Sequence, residues 1–303
     1  ERYKQSTVID DEVIRYLQSI VPINPLHGPP AIIGMEACRR LMKDTLQVGV
    51  FDTSFYAEME DFRYIYPLPY ELYAEKKIRR YGFHGTSHRY VSAKAAEVLG
   101  RDPAGLKIVT CHLGNGSSIS AVKGGVSVDT SMGFTPLEGV PMGTRSGDID
   151  PAVIEYLMAK SGMSVGEVLN YFNKKSGMLG LSGVSSDFRA LTAGAAEGNE
   201  RCRLALDVFG YRVKKYVGAY MAAMGGADVI VFTAGVGENT PEVRQRVLDD
   251  MEFFGITYDR ERNKQRAGGK ILDLTGKDSR VKVLVIPTNE ELVIARETLA
   301  LVK

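Results

Sequence analysis

Cysteine is scarce in this chain, net charge is almost absent and long apolar runs are missing, and each shortage excludes a class of protein. Three cysteines, Cys38, Cys111 and Cys202, in 303 residues are too few and too scattered for a disulfide framework or a zinc site. A reducing cytoplasm is the expected compartment. A formal net charge of +1 supplies no long-range field to gather nucleic acid or an anionic membrane. An anionic ligand must therefore be held by local donors, and the expected partner is small. No stretch approaches the ~20 apolar residues of a membrane span, and the amino-terminal end has neither the basic nor the apolar region of a signal peptide. Low-complexity linkers and short-period repeats are also lacking. The first residue is not Met, so a preceding segment is expected.

What is present reads as an ordinary globular chain, 44% apolar and 25% charged, long enough for two domains. Asp10 and Asp11 cap a short helix with Val13, Leu17 and Ile20 at helical spacing. Prolines 22, 25, 29 and 30 break the chain around His27. A second helix carries Ile33, Ala37 and Leu41 and feeds a strand over residues 47–51, which ends in Asp52. That carboxylate suits a metal-facing position and a helix cap about equally. Residues 56–80 are Tyr-rich and open a new domain. The segment after Gly85-Thr86-Ser87 is helical through Val91, Ala95 and Val98 to Gly100. Residues 108–111 form a buried strand, and residues 118–122 and 126–130 form two strands around a glycine turn. Asp150-Pro151 starts a helix, and Ser164 with Glu167 forms a capping box for the next. A loop over residues 182–189 precedes the longest amphipathic pattern, Val213, Val217, Tyr220 and Met224. The strand at residues 229–232 pours into a glycine loop, Gly235-Val236-Gly237-Glu238-Asn239, ahead of another helix. Strand, glycine loop and helix start are a general arrangement for holding a nucleotide, weak evidence when alone. A last strand, residues 281–286, leads to a helix with Leu292, Ala295, Leu299 and Val302.

Residues 81–150 concentrate the chemistry. Tyr81-Gly82-Phe83-His84-Gly85-Thr86-Ser87-His88, His112-Leu113-Gly114-Asn115-Gly116 and Met142-Gly143-Thr144-Arg145-Ser146-Gly147-Asp148 interleave glycines with hydroxyls, amides, histidines and an arginine. Glycines let backbone amides approach an anion, and the polar side chains supply donors around it, so the stretch suits a phosphate. The duller alternatives differ from case to case. His84 and His88 at i, i+4 suggest zinc, but Gly85 and Thr86 disfavour a helix there and the glutamate of the helical zinc motif is missing. Arg145 could simply pair with Asp148 or Asp150, although Gly143 and Gly147 favour a loop that closes on a ligand. A Walker loop is excluded, since no Gly-Lys-Ser or Gly-Lys-Thr follows a glycine run.

Taken together, residues 81–90, 112–118, 142–148, 235–239 and Pro287-Thr288-Asn289-Glu290-Glu291-Leu292 resemble the acetate kinase (acetokinase) family, in matching order and over essentially the whole chain. The resemblance implies an α/β fold of two ribonuclease-H-like domains, as in the acetate and sugar kinase, heat-shock ATPase and actin superfamily. It divides this chain into residues 1–54 plus 290–303, the remainder of a first domain, and residues 55–289, a second, nucleotide-binding domain. The implied reaction is reversible: ATP and acetate give ADP and acetyl phosphate, with Mg²⁺ (or Mn²⁺), in a cytoplasmic homodimer. By the same resemblance His84 and Arg145 act on the transferring phosphoryl group, and His27 lies near it. Asp52 falls in the magnesium and catalytic region, and Glu290 helps hold the metal. His112, Leu113, Gly114, Asn115 and Gly116 cradle phosphate, while Asp187-Phe188-Arg189 and residues 235–239 contact nucleotide. Leu26, Phe83 and Pro136 form the pocket for the acetate methyl.

The family's opening strand, phosphate hairpin and carboxylate-binding arginine would precede Glu1, which makes the first domain incomplete in this chain. If nothing precedes Glu1, the expectation is a catalytically impaired fragment that binds ADP or ATP and forms acetyl phosphate at a negligible rate. A carboxylate nucleophile is already ionised at neutral pH, so the implied catalysis is positioning and charge neutralisation in a direct in-line displacement. Two rival expectations stand beside it. One is a propionate or other short-chain acid kinase, separated only by pocket volume. The other is a non-catalytic nucleotide holder, against which His84 and Arg145 argue.

Overall fold

The computed structural model of the chain describes residues 2–21 and 28–303. Strand β1 (Thr7–Val8) pairs antiparallel with β2 (Val48–Gly49), and helices α1 (Asp11–Ser19) and α2 (Gly28–Leu41) lie between them in sequence. Asp10 caps α1 by accepting the Val13 amide at 2.8 Å, a bond worth about 1 kcal/mol. Pro29 and Pro30 do not break the chain; they sit in the first turn of α2, where a helix has no use for their missing amides. The buried face of α2 also differs from the expected stripe. Ile33 is 66% exposed and Leu41 77%, whereas Ile32 is buried. Ile32, Glu36 and Arg39 share one side of the helix, and that side is turned to α1, where Gln18 donates to Glu36 and Arg39 pairs with Asp11. The position of the neighbour, not the apolar stripe, selects the covered face.

Short helices α3 (Asp61–Tyr64) and α4 (Tyr70–Ala74) lead to α5 (Gly85–Leu99). Strands β3 (Lys107–Leu113), β4 (Ser117–Lys123) and β5 (Val126–Thr130) then form two hairpins. Helices α6 (Ala152–Ser161), α7 (Val165–Lys174), α8 (Gly177–Ser182), α9 (Phe188–Ala196) and α10 (Glu200–Met224) follow. The Ser164–Glu167 capping box is present at α7, and the expected loop at residues 182–189 is shorter than its range, because Asp187 caps α9. The chain closes with β6 (Val229–Thr233), α11 (Ala234–Asn239), α12 (Pro241–Leu248), α13 (Arg260–Asn263), β7 (Leu272–Asp273), β8 (Lys282–Val285) and α14 (Glu290–Val302). As with α2, the expected stripe of α14 is largely solvent-facing. The covered side carries Val293 and Glu297, and Glu297 accepts from Arg89 of α5 at 3.0 Å and from Ser6 at 2.9 Å.

The large sheet runs β5-β4-β3-β6-β8-β7. Strands β5, β4 and β3 are antiparallel, and β6 and β8 join β3 in parallel through helical crossovers. This is the ribonuclease-H-like strand order implied by the resemblance. Side chains alternate across it as strand geometry requires. Val109, Cys111, Leu113, Ile230, Phe232, Val283 and Val285 enter the core shared with α10. Ile108, Val122, Val229, Val231 and Leu284 enter the core on the α5 side with Val91 and Ala95. The α5 side also receives Thr110, His112, Ser118 and Ser120, so polar groups are built into a buried sheet face under that helix. Among the described residues, no helix is long and apolar enough to cross a membrane.

Candidate functional site

Parallel strands β3, β6 and β8 end at one edge of the sheet, with His112 opposite Thr233 and Phe232 opposite Val285. Three candidate segments leave from that edge: residues 112–116, 234–239 and 287–290. Ligands of open α/β sheets bind outside the carboxyl ends of such strands. A Cβ placed on Gly114 would stand 3.9 Å from the Ala234 Cβ, so the first two segments lie side by side. They are joined to the third by the Thr288 amide, which donates to Glu238 Oε1 at 3.3 Å.

The fourth element of the site is the start of α5. His84 holds the left-handed conformation at φ 58°, uncommon for a residue with a Cβ. Asp52 stabilises it: Oδ2 accepts the His84 amide at 2.6 Å and Oδ1 accepts the Thr86 amide at 3.0 Å. Asp52 therefore acts as a cap supplied from another part of the chain, where a negative charge also suits the helix dipole. Burial raises its pKa, and these amides work in the opposite direction. Gly85 is required by the closeness of this contact, since a Cβ there would sit 2.0 Å from the Asp52 carbonyl oxygen. Gly85→Ala is expected to displace His84 and to lower the thermal midpoint by several degrees. An unchanged midpoint together with unchanged turnover would show that the contact can relax.

The helix expected to be disfavoured at Gly85-Thr86 is present from Gly85 onward, because Asp52 satisfies the amides that a poor helix start would leave bare. Zinc does not follow from it. His88 is fully buried, with Nδ1 2.6 Å from Thr110 Oγ1 and Nε2 2.7 Å from Ser118 Oγ, so both ring nitrogens are engaged. Burial holds its pKa well below the usual histidine range. No group of three or more histidines, cysteines or carboxylates suited to a metal occurs among the described residues.

His84 and Arg145 converge. A Cβ on Gly116 would lie 3.2 Å from His84 Nε2 and 3.7 Å from Arg145 Nη1. The glycine keeps open a space bordered by two side-chain nitrogens. Arg145 Nη1 donates to the Pro136 carbonyl at 3.3 Å, and desolvation pulls its pKa down. Neither Asp148 nor Asp150 pairs with it: Asp148 accepts from the Gly139 amide and the Tyr216 hydroxyl, and Asp150 from the Ala152 amide. The Arg145 loop is held from below, where the Met142 amide donates to the Arg145 carbonyl and the Gly143 amide to the Asn115 carbonyl, each at 3.0 Å.

Of the remaining candidates, His112 is buried and stacks on His84 with ring centroids 4.1 Å apart. Its pKa is depressed by burial and by His84. Phe83 is half-buried, and its carbonyl accepts the Tyr56 hydroxyl. Pro136 is buried against Arg145. Arg189 is exposed and pairs with Asp187 at 2.6 Å at the start of α9. The loop before that pair borders the site, because a Cβ on Gly143 would be 3.3 Å from the Ser186 Cβ. Leu26 and His27 lie outside the described residues.

Residues 235–239 are not a loop. Ala234, at φ 63°, turns β6 directly into α11, so the peptide groups there are helical. Beneath them lies Arg244, fully buried, which donates to the carbonyls of Gly237, Glu238, Asn263 and Gln265 and to Asn263 Oδ1. Glu290 begins α14, and its pKa is raised by burial and then by the charge of Asp52. A half-buried carboxylate raised in part by a neighbouring carboxylate's charge favours a nearby cation, and a hard divalent ion takes oxygen donors of this type.

Sequence reading gave no role at this site to Ser87, Thr110, Ser118, Arg244 and Thr288, and weighed His88 only as a zinc ligand. His112 Nδ1 lies 2.8 Å from Ser87 Oγ, which in turn lies 2.8 Å from Thr288 Oγ1. Only strand pairing, with His112 opposite Ser118 and Thr110 opposite Ser120, brings these groups together. Period-two placement of polar residues in β3 and β4 was the available signal.

Comparison with known proteins gives a consistent result. The model of the acetokinase family matches residues 1–296. Acetate kinase from Acetivibrio thermocellus is 56% identical over 303 residues, covering 100% of this chain and 75% of that protein. The enzyme from Thermoanaerobacter pseudethanolicus is 58% identical over 304 residues, with the same coverage. The crystal structure of Porphyromonas gingivalis acetate kinase superposes with a TM-score of 0.95 at 48% identity, over 100% of this chain and 75% of that one. A propionate kinase from Francisella tularensis superposes with a TM-score of 0.92 at 40% identity, over 97% of this chain and 75% of that one.

Proposed function

The chain belongs to the acetokinase family, and from that premise we propose that His84 and Arg145 perform the phosphoryl transfer from ATP to acetate by direct in-line displacement. The activity is that of an ATP-dependent kinase with acetate as acceptor. The observation that carries the residue assignment is the convergence of His84 Nε2 and Arg145 Nη1 on the space kept open by Gly116. Equatorial oxygens of a phosphoryl group in flight carry spread negative charge, and preorganised donors lower its energy more than that of the ground state. Arg145, with no carboxylate partner among the described residues, keeps its charge for that purpose. Acetate needs no general base, so the remaining tasks are alignment and exclusion of water.

In this reading residues 112–116 cradle the phosphates, while residues 235–239 and Asp187-Phe188-Arg189 meet the rest of the nucleotide. Glu290 would hold Mg²⁺, or Mn²⁺ in its place, and the bound ion would neutralise charge on the nucleotide phosphates. Asp52 adds its charge nearby but commits its oxygens to the start of α5. The domain division at residues 54–55 and 289–290 and a homodimer belong to the same proposal. Three unpaired thiols agree with a cytoplasmic setting.

Steady-state formation of acyl phosphate from acetate, propionate and butyrate tests the function. Acetate should give the highest kcat/KM; no ATP-dependent product with any of the three acids would overturn the reading. A pocket wall at Phe83 yields a finer expectation. An added methylene is worth ~1 to 3 kcal/mol in such a pocket, so Phe83→Ala should raise the butyrate-to-acetate ratio about tenfold or more. An unchanged ratio would remove Phe83 from the pocket.

A further inference from the structure

Asp148 stands three residues beyond Arg145 yet does not pair with it, and its bonds go elsewhere. The Gly139 amide donates to Asp148 Oδ1 at 2.7 Å, the Asp148 amide donates back to the Gly139 carbonyl at 2.8 Å, and the Tyr216 hydroxyl donates to Oδ2 at 2.6 Å. The two bonds to Gly139 close residues 139–148 into a loop with a narrow neck. Gly147 permits that closeness, since it has φ 69° and a Cβ on it would lie 2.5 Å from the Gly139 carbonyl oxygen. Tyr216 belongs to α10, whose buried face packs into the core under the sheet, so the neck is tied to that core helix. Burial, and then the bond to Asp148, raises the Tyr216 pKa and keeps the phenol protonated as a donor.

The chain on the two sides of the neck is anchored separately. On the first side, Arg80 donates to the carbonyls of Thr130, Ser131 and Met132 and to Glu138, which also accepts from the Tyr66 hydroxyl. On the second, residues 143–146 rest on the end of α7 and the start of α8. There the Ser146 amide donates to the Phe172 carbonyl at 3.0 Å, and the Ser176 and Leu179 amides donate to the Thr144 and Gly143 carbonyls, each at 2.9 Å. Pro136 belongs to the first limb and Arg145 to the second, and Arg145 Nη1 donates from one to the other at 3.3 Å. A guanidinium on a long side chain is aimed only as well as its backbone and its fixed contact are placed, and a misplacement of about 1 Å can cost about 100-fold in rate. Resting on the assignment of Arg145 to the phosphoryl group, we propose that Asp148 and Tyr216 are positioning residues for Arg145. They touch no substrate; they hold the two limbs in register, so that the guanidinium borders the space kept open by Gly116.

A double-mutant cycle separates positioning from mere support of the fold. Asp148→Ala should lower kcat about 10- to 100-fold while KM for ATP stays within about threefold. In an Arg145→Ala background the same substitution should lower kcat less than about twofold, because no guanidinium remains to be aimed. Loss of folded protein would act alike in both backgrounds, so equal factors would overturn the proposal, as would unchanged turnover in Asp148→Ala. Asp148→Asn keeps an acceptor for the Gly139 amide and can turn an N–H to the Tyr216 oxygen, so its turnover should return to within about fivefold of the unsubstituted protein. Turnover as low as that of Asp148→Ala would count against the neck. Should Asp148→Ala fold poorly, Tyr216→Phe removes a single hydroxyl and serves in its place. That variant should slow kcat about 3- to 10-fold when Arg145 is present and leave it unchanged when Arg145 is absent; equal factors again overturn the proposal. Absence of kinase activity in the unsubstituted protein, or full turnover in Arg145→Ala, would defeat the functional reading. Equal factors in an enzyme that Arg145→Ala does slow would defeat the positioning role alone.

Discussion

Arg145→Ala is expected to lower the rate of acetyl phosphate formation about 100- to 1,000-fold while nucleotide affinity changes little. Arg145 is fixed by its Pro136 contact and by a loop pinned to Asn115, and no carboxylate neutralises it among the described residues. Loss of one preorganised donor to the transition state typically costs ~3 to 4 kcal/mol. The ground-state nucleotide would still have the residues 112–116 cradle and residues 235–239, so calorimetric titration with ADP should be close to that of the unsubstituted protein. Arg145→Lys should recover only part of the rate, because an ammonium lacks the planar fork of guanidinium. Near-normal turnover in Arg145→Ala would remove the residue from the mechanism, and parallel loss of ADP binding would make it a nucleotide contact instead.

Arg244→Ala should have the largest effect on stability. The guanidinium is completely buried and satisfies four carbonyls and the Asn263 side chain, tying α11 and α12 to residues 263–265. Burial brings its pKa down to about 10, which leaves it charged at neutral pH. Truncation leaves those acceptors without partners in a site too enclosed for easy solvation, a loss of about 3 to 5 kcal/mol. The thermal midpoint should fall on the order of 10 °C. ADP binding should weaken in addition, since Gly237 and Glu238 belong to the nucleotide segment. A midpoint within about 2 °C of the unsubstituted protein would mean that the carbonyls find other partners.

Local chemistry was the legible part of this protein. The hairpin around Gly124-Gly125, the capping box at Ser164 and Glu167, the long α10 and the Gly-rich segments all follow from rules that act within a few residues. The candidate residues His84 and Arg145 stand in segments whose composition already suits an anion site. Errors arose where a neighbour distant in sequence decides. Ile33 and Leu41 look like the covered face of α2, yet α1 packs on the side of Ile32, Glu36 and Arg39. Gly85 looked like a helix breaker, yet Asp52, 33 positions earlier, supplies the cap that starts α5 there.

Sequence by itself determined the family, the order of the strands and helices around the site, and the residue types that an anion requires, because periodicity, turn chemistry and motif spacing are properties of contiguous chain. Tertiary structure alone decided which groups share a hydrogen-bond network. Thr110 and Ser118 face α5 because side chains alternate across a strand and β3 pairs with β4 in one register. His88 reaches both because it lies one helical turn beyond His84 on a helix laid over that face. A one-residue slip of β4 would turn Ser118 into the opposite core and remove its contact with His84 Nδ1, and nothing local to His84 records that dependence.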